Sequence, residues 1–150
     1  MKFRFVWIGK TKDKNWRALQ AEYLERLSHF ARFEIVEIRE SLPHETKEIE
    51  GTRILEAVSK AAFIVLLDVV GTQLASEELA RTIENWQNRS LREVAFIIGG
   101  QDGISSAVAN KANLTLSLSA MTFTHEAARV LLAEQLYRAF TIIHNYPYQK

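Results

Sequence analysis

From Val94 to Tyr148 the chain reads VAFIIGGQDGISSAVANKANLTLSLSAMTFTHEAARVLLAEQLYRAFTIIHNYPY, and three patterns inside that stretch decide the architecture. Val94–Ile98 is an unbroken apolar run that stops at Gly99 and Gly100, with a third glycine at Gly103. A short apolar run bounded by glycine reads as a buried strand entering a turn. Leu114, Leu116 and Leu118 alternate with Thr115, Ser117 and Ser119, the two-residue period of a half-buried strand. From Glu126 to Ile143 the period becomes helical, and apolar residues occupy more sides of the helix than one sheet face covers, so a second copy of the chain is expected against the rest. Glycine lets backbone approach a ligand closely, so a strand followed by Gly-Gly-x-x-Gly marks a candidate small-molecule pocket, one of several uses of such a turn.

Outward from that stretch the same alternation of strand and helix continues. Lys2–Ile8 reads as a strand ended by Gly9, and Phe33–Ile38 as a second. Trp16, Leu19, Tyr23 and Leu27 recur at helical spacing and form the inner face of the first helix. After the break at Leu42-Pro43, a charged helix is expected over Glu45–Lys60, with Ile49, Ile54, Leu55 and Val58 inward. Phe63–Leu67 is a third strand, with Asp68 at its end and Gly71 marking the turn beyond. Ser76 is the expected N-cap of the next helix, with Glu77 and Glu78 in its first turn and Leu79, Ile83 and Trp86 inward. Ser105 is placed to cap a short helix reaching Lys111. Apolar strands separated by helices predict an α/β protein, a mainly parallel sheet with helices on both faces, in a single domain over residues 1–150.

Composition narrows the chemistry. With 47% hydrophobic and 25% charged residues the chain is globular in type, and no stretch is apolar for long enough to span a bilayer. It has no cysteine, which removes disulfides, thiol nucleophiles and thiolate metal sites, and is compatible with a reducing cytoplasm. The net charge of +1 neither announces nor excludes nucleic acid. Local charge says more. Lys10, Lys12 and Lys14 with Arg17 make the densest basic patch, either a solvated loop or a contact for RNA phosphates.

The glycine turn Ile98-Gly99-Gly100-Gln101-Asp102-Gly103, the segment Leu116–His125, Arg129-Val130, Glu134–Ala139 and the closing Pro147-Tyr148 fall in a particular order and spacing. In these features, and over its whole length, the chain resembles the ribosomal RNA large subunit methyltransferase H family of the SPOUT class. That resemblance implies a C-terminal trefoil knot, with the final helix passed through the loop after the third strand. It further implies a homodimer and S-adenosylmethionine as cofactor. The substrate it implies is N3 of a pseudouridine in large-subunit rRNA, presented as RNA, as the large ribosomal subunit or as an assembled ribosome. By position it assigns the cofactor to Leu67, Gly99, Leu118, Ser119, Ala120, Met121, Thr122 and Phe123.

The residues fit those implications and leave choices open. Ligands of open α/β sheets bind beyond the carboxyl ends of strands, where Leu67-Asp68, Gly99-Gly100 and Leu118–Phe123 all lie. Met121 and Phe123 suit an adenine slot, and equally suit ordinary core packing. Methyl transfer from a sulfonium needs no metal and no protein nucleophile, only in-line positioning and help in deprotonating the acceptor. Arg129, Arg138 and Tyr148 are the candidates for stabilising or holding an anionic imide, although Arg138 is also spaced to pair with Glu134 four residues before it. His125 is a general base by residue type, or a residue of the turn, and His144 near the tail is a further possibility. Relatives often carry histidine where this chain has Tyr146 and Gln149, which leaves Tyr148 and Lys150 to hold the substrate. Two other readings remain: a methyltransferase of this class acting on another RNA, and a non-catalytic nucleotide- or RNA-binding module.

Overall fold

Alternate residues of the first strand, β1 (Lys2–Ile8), face opposite layers, and both layers are covered by helices. The computed structural model describes residues 1–58, 60 and 62–148. The remaining strands are β2 (Arg32–Ile38), β3 (Phe63–Gln73), β4 (Glu93–Ile98) and β5 (Leu114–Ser117). They join in the order β2-β1-β4-β3-β5, and every strand pairing is parallel. Between and after them come α1 (Lys14–Ser28), α2 (Lys47–Ala57), α3 (Ser76–Asn88), α4 (Ser106–Lys111) and α5 (His125–Ile143).

Helices α1, α3 and α5 share one face of the sheet with Phe3, Phe5, Trp7, Val65, Val94 and Phe96. The other face, Val6, Ile64, Leu66, Ala95 and Ile97, packs against Ile54 of α2 and Val108 of α4. Phe96 anchors the first layer: its ring lies edge-on to Phe3 at 5.5 Å and stacks on Phe5 at 5.8 Å. Burial on both sides explains why the central strands are near-continuous apolar runs instead of alternating ones.

The last helix is where the sequence reading needs revision most. Its apolar residues do occupy several sides, but α5 lies between α1 and α3 and over β4, so much of that surface is covered within the chain. Leu132, Ala133, Leu136, Ala139 and Phe140 are fully buried there, whereas Ile142 is exposed. Apolarity around the helix therefore does not itself require a second subunit.

Smaller differences have local causes. β3 does not turn at Gly71 but continues to Gln73, and its register against β5 shifts between Leu67 and Thr72. Gly71 is needed for close approach, since a Cβ there would lie 2.6 Å from the Thr115 carbonyl oxygen. Ser76 is not the N-cap of α3. Ala75 holds that position, the Glu78 carboxylate accepts from its N–H at 2.7 Å, and Ser76 instead donates to Gln135 Oε1 at 2.7 Å. On α1 the buried positions are Gln20, Leu24 and Leu27, Trp16 is half-buried, and Leu19 faces solvent. Helix α2 is shorter than expected because Thr46 caps it and Glu45 is drawn away to Arg39, Arg53 and the Leu42 N–H. Its inner face is Glu50, Gly51 and Ile54, with Ile49 exposed. Gly51 lets α2 meet α4, since an added Cβ would come within 2.9 Å of Ser105 Cβ.

Candidate active site

The carboxyl ends of β3, β4 and β5 open onto a cleft of about 260 Å³. Adjacent parallel strands whose connections leave in different directions create such a crevice. β3 contributes Leu67, Asp68 and Val69; β4 and the glycine turn contribute Ile98, Gly99, Gly100, Gln101, Gly103 and Ile104. Leu116, Leu118, Ser119, Met121, Thr122 and Phe123 form the opposite wall, and His125 and Ala128 of α5 close one side.

Seven of the eight residues assigned to the cofactor therefore line one cleft: Leu67, Gly99, Leu118, Ser119, Met121, Thr122 and Phe123. Ala120 does not; it is exposed and outside the lining. Met121 is 73% exposed and Phe123 36%, so neither is core packing. Asp68, placed at a ligand-binding strand end by sequence, lines the cleft too, whereas Gln101, Ile104 and Ala128 carry no cleft assignment in the sequence. Gln101 adjoins the glycine pair, and Ala128 sits three positions after His125, one helical turn along.

The glycines act differently from one another. Gly103 adopts φ +81°, turns the chain back to a short bridge with Gly100, and has open space where a Cβ would stand. Gly99 has no such backbone demand, but a Cβ there would run into Ile104 Cδ1 and sit 3.0 Å from Ile104 Cγ1. Its glycine keeps the Ile104 side chain seated at the edge of the cleft. Beneath Gly100 the buried Glu50 carboxylate accepts from Ser41 Oγ at 2.9 Å, and an added Cβ would lie 3.3 Å from Glu50 Oε1.

Thr124 caps α5 by accepting from the Ala127 N–H at 3.3 Å, which frees His125 from that work and leaves it exposed on the cleft wall. The neighbouring Glu126 turns away, its Oε1 accepting from the Lys12 N–H at 2.6 Å. Lys10, Lys12 and Lys14 are all exposed on the segment next to this end of α5.

The three catalytic candidates are not together. Arg129 is 3% exposed and outside the cleft lining; it donates to the Ile8 carbonyl at 2.5 Å and Thr11 Oγ1 at 3.0 Å. Burial pulls its guanidinium below the ordinary arginine range, against the opposing influence of Glu126, Glu37 and Glu40. As placed, Arg129 holds backbone and does not present itself to a substrate. Arg138 and Tyr148 lie at the far end of α5. The Arg138 guanidinium bonds Glu134 Oε1 at 2.7 Å and covers the Tyr148 ring at 4.1 Å, while the Tyr148 hydroxyl donates to the same Glu134 oxygen at 2.6 Å. Desolvation and then the Glu134 hydrogen bond push the Tyr148 phenol well above its usual range, so it stays protonated. From His125 to Arg138 is thirteen residues of helix, roughly 20 Å at 1.5 Å per residue. His144 stacks between Phe30 at 5.4 Å and Tyr146 at 5.9 Å on that distant end. Gln149 and Lys150 lie outside the described residues.

Among the described residues no group of histidine, aspartate and glutamate side chains is arranged to hold a metal ion, and no helix is long and apolar enough to cross a membrane.

A family model described as "Predicted SPOUT methyltransferase" matches residues 1–149. A protein of Streptococcus pneumoniae named ribosomal RNA large subunit methyltransferase H is 39% identical, with all of both chains covered. A Methanoregula boonei protein given the same name provisionally is 43% identical, again over the whole of both chains. Among solved structures, a probable methylase family protein from Haemophilus influenzae superposes with a TM-score of 0.62 at 15% identity, covering 99% of this chain and 70% of that one. A probable methyltransferase from Bordetella pertussis gives 0.54 at 13% identity, over 91% and 95% of the two chains. At those identities the two structures speak for the fold alone.

Proposed function

The chain belongs to the SPOUT methyltransferase family, and from that premise we propose that it methylates large-subunit ribosomal RNA with S-adenosylmethionine, at N3 of a pseudouridine. The observation that carries the proposal is end-to-end similarity, at 39% identity, to a protein named for that rRNA, combined with an apolar cleft at the strand ends. When bound, the cofactor supplies an activated methyl on a sulfonium. The cleft suits such a ligand: Leu67, Ile98, Leu116 and Leu118 offer an apolar floor, and Met121 and Phe123 stand exposed over it for want of a cover. Gly103 adds open wall, and Asp68 and Gln101 add polar groups at the rim.

The rest of the chemistry is positioning and proton removal. A pseudouridine N3–H is weakly acidic, so a base within hydrogen-bond reach and a nearby cation would lower the barrier. His125 is the exposed base on the cleft wall. Arg138 and Tyr148 are too far along α5 to serve the cleft of their own chain, which favours a homodimer in which each tail serves its partner's cleft. A protonated Tyr148 and a cationic Arg138 suit a role in holding the substrate base. Lys10, Lys12 and Lys14 would meet RNA phosphates in free rRNA, the large subunit or the assembled ribosome. The proposal includes one methyltransferase domain with a trefoil-knotted C-terminal half, working in the cytoplasm where ribosomes are.

Tritiated methyl transfer to ribosomes lacking the modification, with the product nucleotide mapped, tests this. Label in a large-subunit rRNA pseudouridine is expected; label elsewhere, or none with cofactor bound, overturns the substrate assignment.

A further inference from the structure

The first turn of α5 carries two sets of contacts. One side, His125 and Ala128, lines the cleft. The other side grips the segment between β1 and α1. Glu126 Oε1 accepts from the Lys12 N–H at 2.6 Å, with the Asp13 N–H at 3.5 Å. Arg129 donates to the Ile8 carbonyl and to Thr11 Oγ1, and the Thr11 hydroxyl donates in turn to Gln20 Oε1 of α1 at 2.6 Å. The guanidinium also lies 4.9 Å from the Trp7 ring centre. Gly9, at φ +70°, makes the bend these contacts hold closed.

Arg129 is an odd choice for mere packing. It is buried, makes no ion pair within 4.0 Å among the described residues, and its Nε has no hydrogen-bond partner there. A buried unpaired charge is a cost to stability. What it gains is geometry: the backbone at Ile8 and the side chain at Thr11 are tied to the helix turn whose His125 and Ala128 line the cleft.

We propose that Glu126 and Arg129 are positioning residues that clamp the Lys10–Lys14 segment to the rim of the cofactor cleft, fixing where RNA phosphates sit relative to the methyl donor. The inference rests on the reading of that segment as the RNA contact. Neither residue touches substrate or cofactor; each acts through the segment it holds.

Charge gives the test its sign. Removing Glu126 deletes a negative charge near polyanionic RNA, which by electrostatics alone tightens binding. The clamp requires the opposite. For Glu126→Ala the expected outcome is about tenfold weaker binding to large ribosomal subunits, the scale of losing a charged hydrogen bond. Its affinity for S-adenosylmethionine should stay within twofold. Hydrogen exchange at the Lys12 amide should accelerate about tenfold, a readout that does not depend on RNA. Glu126→Gln makes the same charge change but keeps an acceptor oxygen, and should recover most of both effects. Combining Glu126→Ala with Lys10→Ala, Lys12→Ala and Lys14→Ala should add little to the triple variant's own defect.

Unchanged or tighter RNA binding by Glu126→Ala overturns the clamp, as does a parallel loss of cofactor affinity. If the triple variant weakens RNA binding and Glu126→Ala does not, the clamp alone fails. If the triple variant binds normally, the RNA reading of the segment fails and the clamp falls with it. Arg129→Lys, which keeps charge but cannot span Ile8 and Thr11 together, should follow Glu126→Ala; normal RNA affinity in that variant removes Arg129 from the proposal.

Discussion

At Gly99 a single hydrogen atom decides whether the cleft stays open. Valine there would displace Ile104, which lines the cleft, so Gly99→Val should reduce S-adenosylmethionine affinity at least about tenfold while the fold persists. Calorimetry checks this, and Gly99→Val with Ile104→Ala should regain part of the affinity by making room. Cofactor affinity within twofold of wild type in the single variant would refute the placement. Tyr148 calls for a different comparison. Its ring covers Arg138 and its hydroxyl engages Glu134. Since the phenol is held protonated it is no base, and in the proposed reading its ring, packed on Arg138, shapes the tail that holds the substrate. Tyr148→Phe should therefore keep most methyl transfer, whereas Tyr148→Ala should lose about tenfold or more through the missing ring. Equal losses in the two variants would point to the hydroxyl instead. The glycine turn was legible because strand ends announce themselves in sequence, whereas the eight cofactor assignments came from the family resemblance, and seven of them line the cleft. Arg129 was not legible: its residue type suggests catalysis, and only the structure reveals that it is buried with its two terminal nitrogens engaged by Thr11 and Ile8.

Among the elements, α2 starts at its Thr46 cap, and the carboxylate just before it ties Arg39 and the Leu42 N–H to Arg53 of the helix. Glu45 is held well below the usual carboxylate range by Arg39 first, then the Leu42 N–H and Arg53. A depressed carboxylate stabilises the fold above its unfolded pKa, about 4.3, and that contribution disappears as pH falls through the folded value. Wild type should thus lose stability as pH drops below about 5 more steeply than Glu45→Gln. Urea midpoints measured across that range settle the matter; parallel curves would mean Glu45 contributes nothing through its charge. Helix and strand boundaries were read to within a few residues where apolar period governs. They failed where side chains bind backbone locally, as at Glu45 and Glu78, or where packing selects a helix face. Leu19 and Ile49 fit an apolar stripe by spacing, yet face solvent because Gln20 finds Thr11, Glu50 finds Ser41, and Gly51 lets α4 approach.

For the whole molecule, quaternary state is the sharpest expectation. Val70 is 84% exposed and Met121 73%, and the Arg138–Tyr148 end of α5 has no cleft of its own within reach. Sedimentation equilibrium at micromolar concentration should give twice 17.2 kDa, with an interface of at least ~1,200 Å². If tails serve the partner's cleft, two inactive variants should complement. Gly99→Val co-expressed with a chain lacking Tyr148–Lys150 should recover about a quarter of wild-type activity, because random pairing makes half the dimers mixed and each mixed dimer has one intact site. A monomer with undiminished methyl transfer would defeat both expectations.

The strand order carries one more consequence, for the chain while it is being made. β1 lies between β2 and β4, and its in-register neighbour Val94 is far downstream of Phe3. At synthesis rates of roughly 5–20 residues per second, β1 waits on the order of 5–20 s after emerging before β4 exists. Early in that interval Phe3, Phe5 and Trp7, all of them inside the finished sheet, are on a nascent chain with only β2 and α1 to cover them, and α3 follows only shortly before β4. Translation stalled anywhere before Glu93 should leave a chain that aggregates or recruits chaperones, and a chain released with α5 complete, whose Phe140 packs on Phe3, should not.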